Sequence, residues 1–131
     1  MSNHVFPMVM DRQLPNLLID FVLVGEKLYL RFANISDAEA YDVSATFSQP
    51  ILALNQSKDL AQINLFRKLA YFAPQKEFLL YIDEVSQFLS TLEKTTVQFT
   101  ILCYNAERKF FKKEIIHDLA IYHDLPIILK P

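Results

Sequence analysis

Two His-Asp pairs near the end of the chain, His117–Asp118 and His123–Asp124, have the residue types of a metal or acid–base site. The two histidines are six residues apart, which places them about 20 Å apart on a continuous strand at about 3.3 Å per residue. On a helix they would lie about 240° apart around the axis. Only a sharp bend could bring them together, so we expect exposed polar residues there. The sequence predicts no metal and no other cofactor.

The chain offers no activated nucleophile. Its single cysteine, Cys103, closes the apolar run Val97–Cys103, which predicts a small buried side chain. A Cys103–His117 pair across the last hairpin is conceivable, but the apolar phase of the strand favours burial. Gly25 is the only glycine, which excludes phosphate-binding loops, dinucleotide fingerprints and nucleophile elbows. We therefore expect a protein that is not an enzyme.

A basic segment interleaved with aromatic residues, Arg108–Lys113, is the third candidate. Nucleic-acid binding needs a wide positive field, whereas this chain has a net charge of -2 and a pI near 5.9. Lysines on an edge strand often prevent unwanted pairing. An interaction with an acidic protein surface stays open as the alternative, and its candidate residues are Lys109, Phe110 and Lys112.

The elements that would carry these residues are mainly strands. Of the 131 residues, 52% are hydrophobic and 21% are charged, enough for one packed domain. Alternating apolar residues and turn signals predict strands over Leu17–Val24, Lys27–Ile35, Tyr41–Ser48, Glu77–Ile82, Thr95–Tyr104 and Lys109–Leu119. Helical patterns are weaker. A short turn is predicted over Leu60–Phe66, and a helix over Glu84–Glu93 with Asp83 as its N-cap.

These strands predict an all-β protein, an immunoglobulin-like antiparallel β-sandwich of about seven strands with one short helix. A barrel is the alternative. We expect residues 1–15 to form an N-terminal arm and residues 16–131 to form one sandwich domain with an apolar C-terminal tail. No stretch approaches the roughly 20 apolar residues of a membrane span. The N-terminus lacks the basic start of a signal peptide, so we expect a cytoplasmic protein.

One stretch resembles the B–C strand region of bacterial immunoglobulin-like domains of the adhesion-related CARDB-like type. The resemblance lies in Leu28, Leu30, Phe32, Asn34, Ser36, Ala40, Val43, Ala45 and Phe47. The turn Tyr71–Pro74 is similar to the hydrophobic–Ala–Pro–Gly turn of those domains, and Ile101–Leu119 fits their last two strands. Ser36 and Gln75 stand where the family pattern has glycine. The resemblance implies a sandwich fold over residues 16–119 and a role as a spacer or binding module, without catalytic residues.

Both ends of the chain carry apolar segments outside the predicted sandwich. They either cover the domain itself or pack on another subunit by strand addition or hydrophobic docking. Their candidate contact residues are Phe6, Met8, Met10, Ile127, Ile128 and Leu129. The sequence thus predicts a non-catalytic interaction or assembly domain, with a protein partner or self-association, acting through a sheet edge or the apolar termini. The alternative is a carrier of a small hydrophobic ligand with an aromatic-lined interior.

Overall fold

The computed structural model describes residues 14–124, which form two antiparallel sheets packed face to face. The first sheet has the order β1-β2-β7 and contains β1 (Leu17–Val24), β2 (Lys27–Asn34) and β7 (Glu77–Glu84). The second has the order β6-β3-β8-β9 and contains β3 (Ala40–Phe47), β6 (Leu69–Phe72), β8 (Thr96–Tyr104) and β9 (Phe110–Asp118). A small hairpin of β4 (Leu52–Ala53) and β5 (Lys58–Asp59) lies beside them. The fold is the immunoglobulin-like sandwich that the sequence predicted.

The core lies between the sheets and is rich in aromatic rings. Phe21 of β1 lies 5.9 Å from Phe99 of β8, measured between ring centroids, which ties the two sheets together. Phe32 of β2 contacts Phe66 at 5.0 Å and Phe72 at 4.8 Å. The predicted alternation of β8 is confirmed, because Val97, Phe99, Ile101 and Cys103 are all buried. The aromatic rings that could have lined a ligand cavity are packed against one another.

The helical segments are short and differ from prediction. The described residues contain α1 (Asn64–Arg67) and α2 (Val85–Leu89), so the expectation of one short helix was wrong. Short 3-10 helices span Leu60–Gln62 and Leu119–Asp124. The predicted turn over Leu60–Phe66 therefore exists in two pieces.

The helix expected over Glu84–Glu93 is present but shorter, because α2 begins at Val85 and ends at Leu89. Asp83 does not cap it. The residue stays in β7, and its carboxylate accepts hydrogen bonds from the backbone N–H groups of Asn55 (3.0 Å) and Glu84 (3.0 Å). This buried carboxylate joins the β4–β5 connection to β7, which explains why the strand extends past the predicted end at Ile82.

The start of the C-terminal tail belongs to the core. Leu119 and Tyr122 are buried, and burial raises the pKa of Tyr122 above its usual value. The domain therefore continues at least to the end of the last 3-10 turn at Asp124. No helix among residues 14–124 is long and apolar enough to cross a membrane.

Candidate interaction surface

His117 and Cys103, which were considered for metal or nucleophilic chemistry, are both packed against the rest of the domain. His117 lies on β9, and its Nε2 is 2.7 Å from the carbonyl oxygen of Ile19. Since a carbonyl can only accept, Nε2 carries the proton. The ring also meets Phe21 edge-on at 5.6 Å. Cys103 is buried, and burial raises the pKa of its thiol to about 11. Within residues 14–124, no group of three or more His, Cys, Asp and Glu side chains could hold a metal ion.

The three predicted contact residues near the last hairpin lie together at the start of β9. Lys109 is exposed, Phe110 is 54% exposed, and Lys112 forms a 3.5 Å ion pair with Glu114. The other predicted contact residues, Phe6, Met8, Met10, Ile127, Ile128 and Leu129, lie outside the described residues. The structure therefore describes only the three hairpin residues of the nine predicted contact residues.

Phe110 ends a row of aromatic side chains that crosses the outer face of the four-stranded sheet. The register pairs Tyr71 with Tyr41, Tyr41 with Tyr104, and Tyr104 with Phe110. The rings of Tyr41 and Tyr71 lie 5.4 Å apart, and those of Tyr104 and Phe110 lie 5.5 Å apart. Cross-strand aromatic pairs of this kind stabilise a sheet and leave a flat, partly exposed surface.

Charged side chains hold this row in place. The Glu39 carboxylate accepts hydrogen bonds from the hydroxyls of Tyr41 (3.0 Å) and Tyr71 (2.9 Å), which raises the pKa of both phenols. The Arg108 guanidinium lies 5.0 Å from the centroid of the Tyr104 ring and pairs with Asp42 at 2.8 Å. The polar groups here bind one another, so the row is best explained as a stabilising feature of the sheet.

The alternation that predicts the strand Tyr41–Ser48 groups Tyr41 with Val43 and Ala45 on one buried face, and for Tyr41 this is wrong. Asp42 has a φ of 50°, and the register of β3 against β8 gains one residue between Tyr41 and Ser44. This is a β-bulge, which reverses the alternation on one side of the extra residue. Ala40 is therefore buried in the position expected for Tyr41, and the tyrosine joins the outer face. Asp42 is one of the residue types that tolerate a positive φ, but the sequence does not mark where the register shifts.

Within residues 14–124, the four edge strands of the two main sheets differ in how they are protected from pairing with another chain. Natural edges are protected by short length, by charge or by a covering segment. β6 has only four residues. β9 carries Lys112, Lys113 and Glu114 in succession, and the Lys113 amine turns inward to donate to Asn16 Oδ1 at 2.6 Å. β1 is covered in part, because its Ile19 carbonyl binds His117 of β9.

β7 is the exception. Its five residues from Phe78 to Ile82 carry no charged side chain, and Leu79 is 54% exposed. Across the outer face of the sheet, Arg31 bridges Asp20 (3.2 Å) and Glu77 (2.9 Å), while the rings of Tyr29 and Tyr81 meet at 5.4 Å. Partial burial, with Glu84 and Asp83 nearby, raises the pKa of the Tyr81 phenol, which therefore stays protonated and able to donate.

The backbone of β7 offers unpaired groups along the same stretch. The N–H of Asn34 donates to the carbonyl of Lys76 at 2.9 Å, which fixes the hydrogen-bonding phase of β2 against β7. Since bonded and non-bonded pairs alternate, Phe78 and Leu80 bond to β2. Glu77, Leu79 and Tyr81 therefore point their N–H and C=O groups away from the sheet. Among residues 14–124, the one backbone bond to this edge from outside its sheet is that from Leu54 N–H to Ile82 C=O (2.9 Å).

A family model described as a domain of unknown function (DUF8453) matches residues 8–123. The chain belongs to the DUF8453 family. No curated protein and no solved structure matches it. The resemblance to CARDB-like domains accordingly stays a prediction.

The edge of the DUF8453 domain at β7 could not be found from the sequence. The run Glu77–Ile82 was predicted as a strand, but its position at the end of a sheet depends on pairing with β2, more than forty residues earlier. A local signal did exist, namely the absence of charge from Phe78 to Ile82. That signal is equally typical of a buried central strand, so it does not distinguish the two.

Proposed function

We propose that this DUF8453 domain is a non-catalytic protein-interaction or assembly domain that acts through the β7 edge. The observation that carries the proposal is the uncharged stretch Phe78–Ile82, which follows Glu77 on an edge strand whose outward backbone groups are unpaired as far as Tyr81 among the described residues. Long, apolar and unprotected edges are rare in natural sheets because they pair readily with other chains. Among the described residues, β6 is short, β9 is charged and β1 is covered in part, whereas the Glu77–Tyr81 stretch of β7 has none of these protections, which is the reason to assign it a function.

Strand addition supplies both affinity and selectivity at such an edge. A partner strand would bond to the N–H and C=O groups of Glu77, Leu79 and Tyr81, each bond contributing about 0.5–1.5 kcal/mol net. Burial of the exposed part of Leu79 and of Tyr81 would add hydrophobic stabilisation. The side chains that alternate along the edge would then favour partners with matching apolar residues.

The apolar termini remain a second contact in this proposal. The segments that carry Phe6, Met8, Met10 and Ile127–Leu129 lie outside the described residues, which run from Leu14 to Asp124. We further propose a cytoplasmic location and no role in nucleic-acid binding. The location is supported by the single cysteine, which allows no intrachain disulfide, and the absence of nucleic-acid binding is supported by the net charge of -2.

A matched pair of substitutions tests the edge. Leu79→Lys gives β7 the charge that protects other edges, while Ile116→Lys makes the same change at a residue of β9 that is 64% exposed. Tagged chain would be incubated with a lysate of its source cell, and bound protein would be quantified. We expect a near-stoichiometric partner, or the untagged chain itself, that is lost with Leu79→Lys and kept with Ile116→Lys. Equal binding by both variants would contradict the proposal.

The contribution of the termini needs separate truncations. Removing residues 1–13 or 125–131 leaves every described residue in place. A deletion from residue 121 onward would also remove Tyr122, which is buried in the core, and loss of binding would then report unfolding. Binding that survives both truncations but not Leu79→Lys would assign the interaction to β7 alone.

A further inference from the structure

We propose that the partner of the β7 edge is a second copy of this chain, paired antiparallel about a two-fold axis at Leu79. This inference rests on the proposed function of the same edge. Its basis is the symmetry of the open stretch, in which Glu77 and Tyr81 lie two residues on either side of Leu79. Two such stretches fit one another when one is rotated onto the other, as an isologous interface requires.

The hydrogen-bonding phase selects one register. An antiparallel partner bonds only where outward-facing residues of both strands lie opposite each other. With Leu79 opposite its own copy, Glu77 faces Tyr81 on one side and Tyr81 faces Glu77 on the other. Three pairs with two bonds each give six hydrogen bonds. A shift by two residues leaves two such pairs, and therefore four bonds.

The side chains favour the same register. Glu77 would lie opposite the protonated Tyr81 phenol of the second copy, so a donor faces a carboxylate acceptor that Arg31 already holds at 2.9 Å. The two Leu79 side chains would cover each other on the outer face. No like charges lie opposite one another between Glu77 and Tyr81. This complementarity is a reason to favour a second copy over an unrelated strand.

The edge strand β9 of the four-stranded sheet is not self-complementary in this way. Self-pairing of β9 in the register that matches Lys112 with Glu114 would put Lys113 opposite its own copy. Like charges directly opposite one another destabilise a sheet, and Lys113 is further held inward by Asn16. Charge therefore prevents self-pairing at β9, while β7 permits it. Pairing at β7 alone closes the assembly at a dimer with one six-stranded sheet.

The mass of the purified full chain in solution is the first test. Sedimentation equilibrium over a dilution series should give a mass approaching twice 15.3 kDa at high concentration. Leu79→Lys places two lysines opposite each other and removes the leucine contact, so we expect its dissociation constant to rise by at least about 100-fold. Ile116→Lys, the matched control on β9, should leave the constant unchanged.

Cysteine cross-linking tests the register. In the proposed pairing the two Leu79 Cα atoms lie about 5.5 Å apart, within the range of a disulfide. Leu79→Cys should therefore form a covalent dimer under mild oxidation. Tyr81→Cys should not, because its Cα is about 14 Å from its own copy along the paired strands. Cys103 is buried with a raised pKa and should not compete.

The outcomes separate this inference from the proposed function. A dimer that Leu79→Lys dissociates and Leu79→Cys cross-links supports both. A monomeric chain that still captures another protein, with capture lost in Leu79→Lys, overturns self-association and leaves the edge function standing. A chain that neither dimerises nor captures a protein through Leu79 overturns both. A dimer unaffected by Leu79→Lys overturns the inference, because it must form elsewhere.

Discussion

Asn34 is the buried polar residue on which the ends of several strands depend, and its replacement by alanine is a sharp test of the structure. Its side-chain amide donates to the carbonyls of Ala38 (2.8 Å) and Phe72 (3.2 Å). Its side-chain oxygen, Oδ1, accepts hydrogen bonds from the backbone N–H (3.1 Å) and the hydroxyl (2.7 Å) of Ser36. Because Asn34 is 1% exposed, no water can replace these bonds without rearrangement. Its backbone N–H also positions Lys76, immediately before β7.

The magnitude follows from those four bonds. At about 0.5–1.5 kcal/mol each, and with the Ser36 groups partly accessible to water, Asn34→Ala should lower the free energy of unfolding by roughly 2–4 kcal/mol. A domain of this size has about 5–15 kcal/mol in total, so the loss is large. With a urea m-value of about 2 kcal/mol/M, the middle of the usual range, the midpoint of urea denaturation should fall by about 1–2 M.

Two further variants make the assay decisive. Asn64→Ala makes the same chemical change at an exposed residue of α1 and should stay within about 0.5 kcal/mol of the parent chain. Asn34→Asp keeps the acceptor for Ser36 but loses the donor, and should be at least as damaging as alanine because a carboxylate would face two carbonyls. If Asn34→Ala shifted the midpoint no more than Asn64→Ala does, the reasoning about this buried network would be refuted.

Two other predictions concern single residues. Gly25 has a φ of +62° and open space where a Cβ would lie. Gly25→Ala should therefore lower the free energy of unfolding by about 1 kcal/mol through backbone strain alone, and Gly25→Asn should lower it less. Equal urea midpoints for the glycine and alanine chains would contradict this. Cys103 should resist thiol reagents in the folded chain and react in urea, because burial raises its pKa from 9.0 to about 11. Since its folded pKa is raised, its contribution to stability is present below pH 9.0 and is lost as the pH rises towards about 11. The alkaline loss of stability should therefore be shallower in Cys103→Ala, and parallel pH curves for the two chains would argue against a buried thiol.

Local alternation was sufficient to predict most of the strands. β1 was predicted with its observed bounds, and β2, β8 and β9 were predicted to within one residue at each end. The strands β1, β2 and β8 each have a buried face marked by every second residue, while on β9 alternate residues are at most partly buried. Each of the hairpins β1–β2 and β8–β9 is closed by a turn with recognisable residue types. The signal lies within each segment, which is why one sequence sufficed.

What the sequence did not predict depends on contacts between distant segments. The bulge at Asp42 turned Tyr41 outward, and the link from Asp83 to Asn55 extended β7 beyond its expected end. The aromatic row on the outer face could not be predicted without knowing the strand order β6-β3-β8-β9. The sequence predicted Phe110 and its neighbouring lysines as contact residues, but it did not predict the open edge at Leu79.

The edge strands β9 and β7 differ in where their charged residues lie. Both are edge strands with exposed apolar residues, namely Ile116 on β9 and Leu79 on β7. On β9 the residues Lys112–Glu114 interrupt the apolar pattern, and Lys113 points its charge towards the core side, which makes pairing with another chain costly. On β7 the charges lie at the two ends, at Glu77 and at Asp83–Glu84, and the stretch between them is free of charge. If solubility alone had shaped the surface, both edges would be charged. The difference is explained if β9 must not pair with another chain and β7 must.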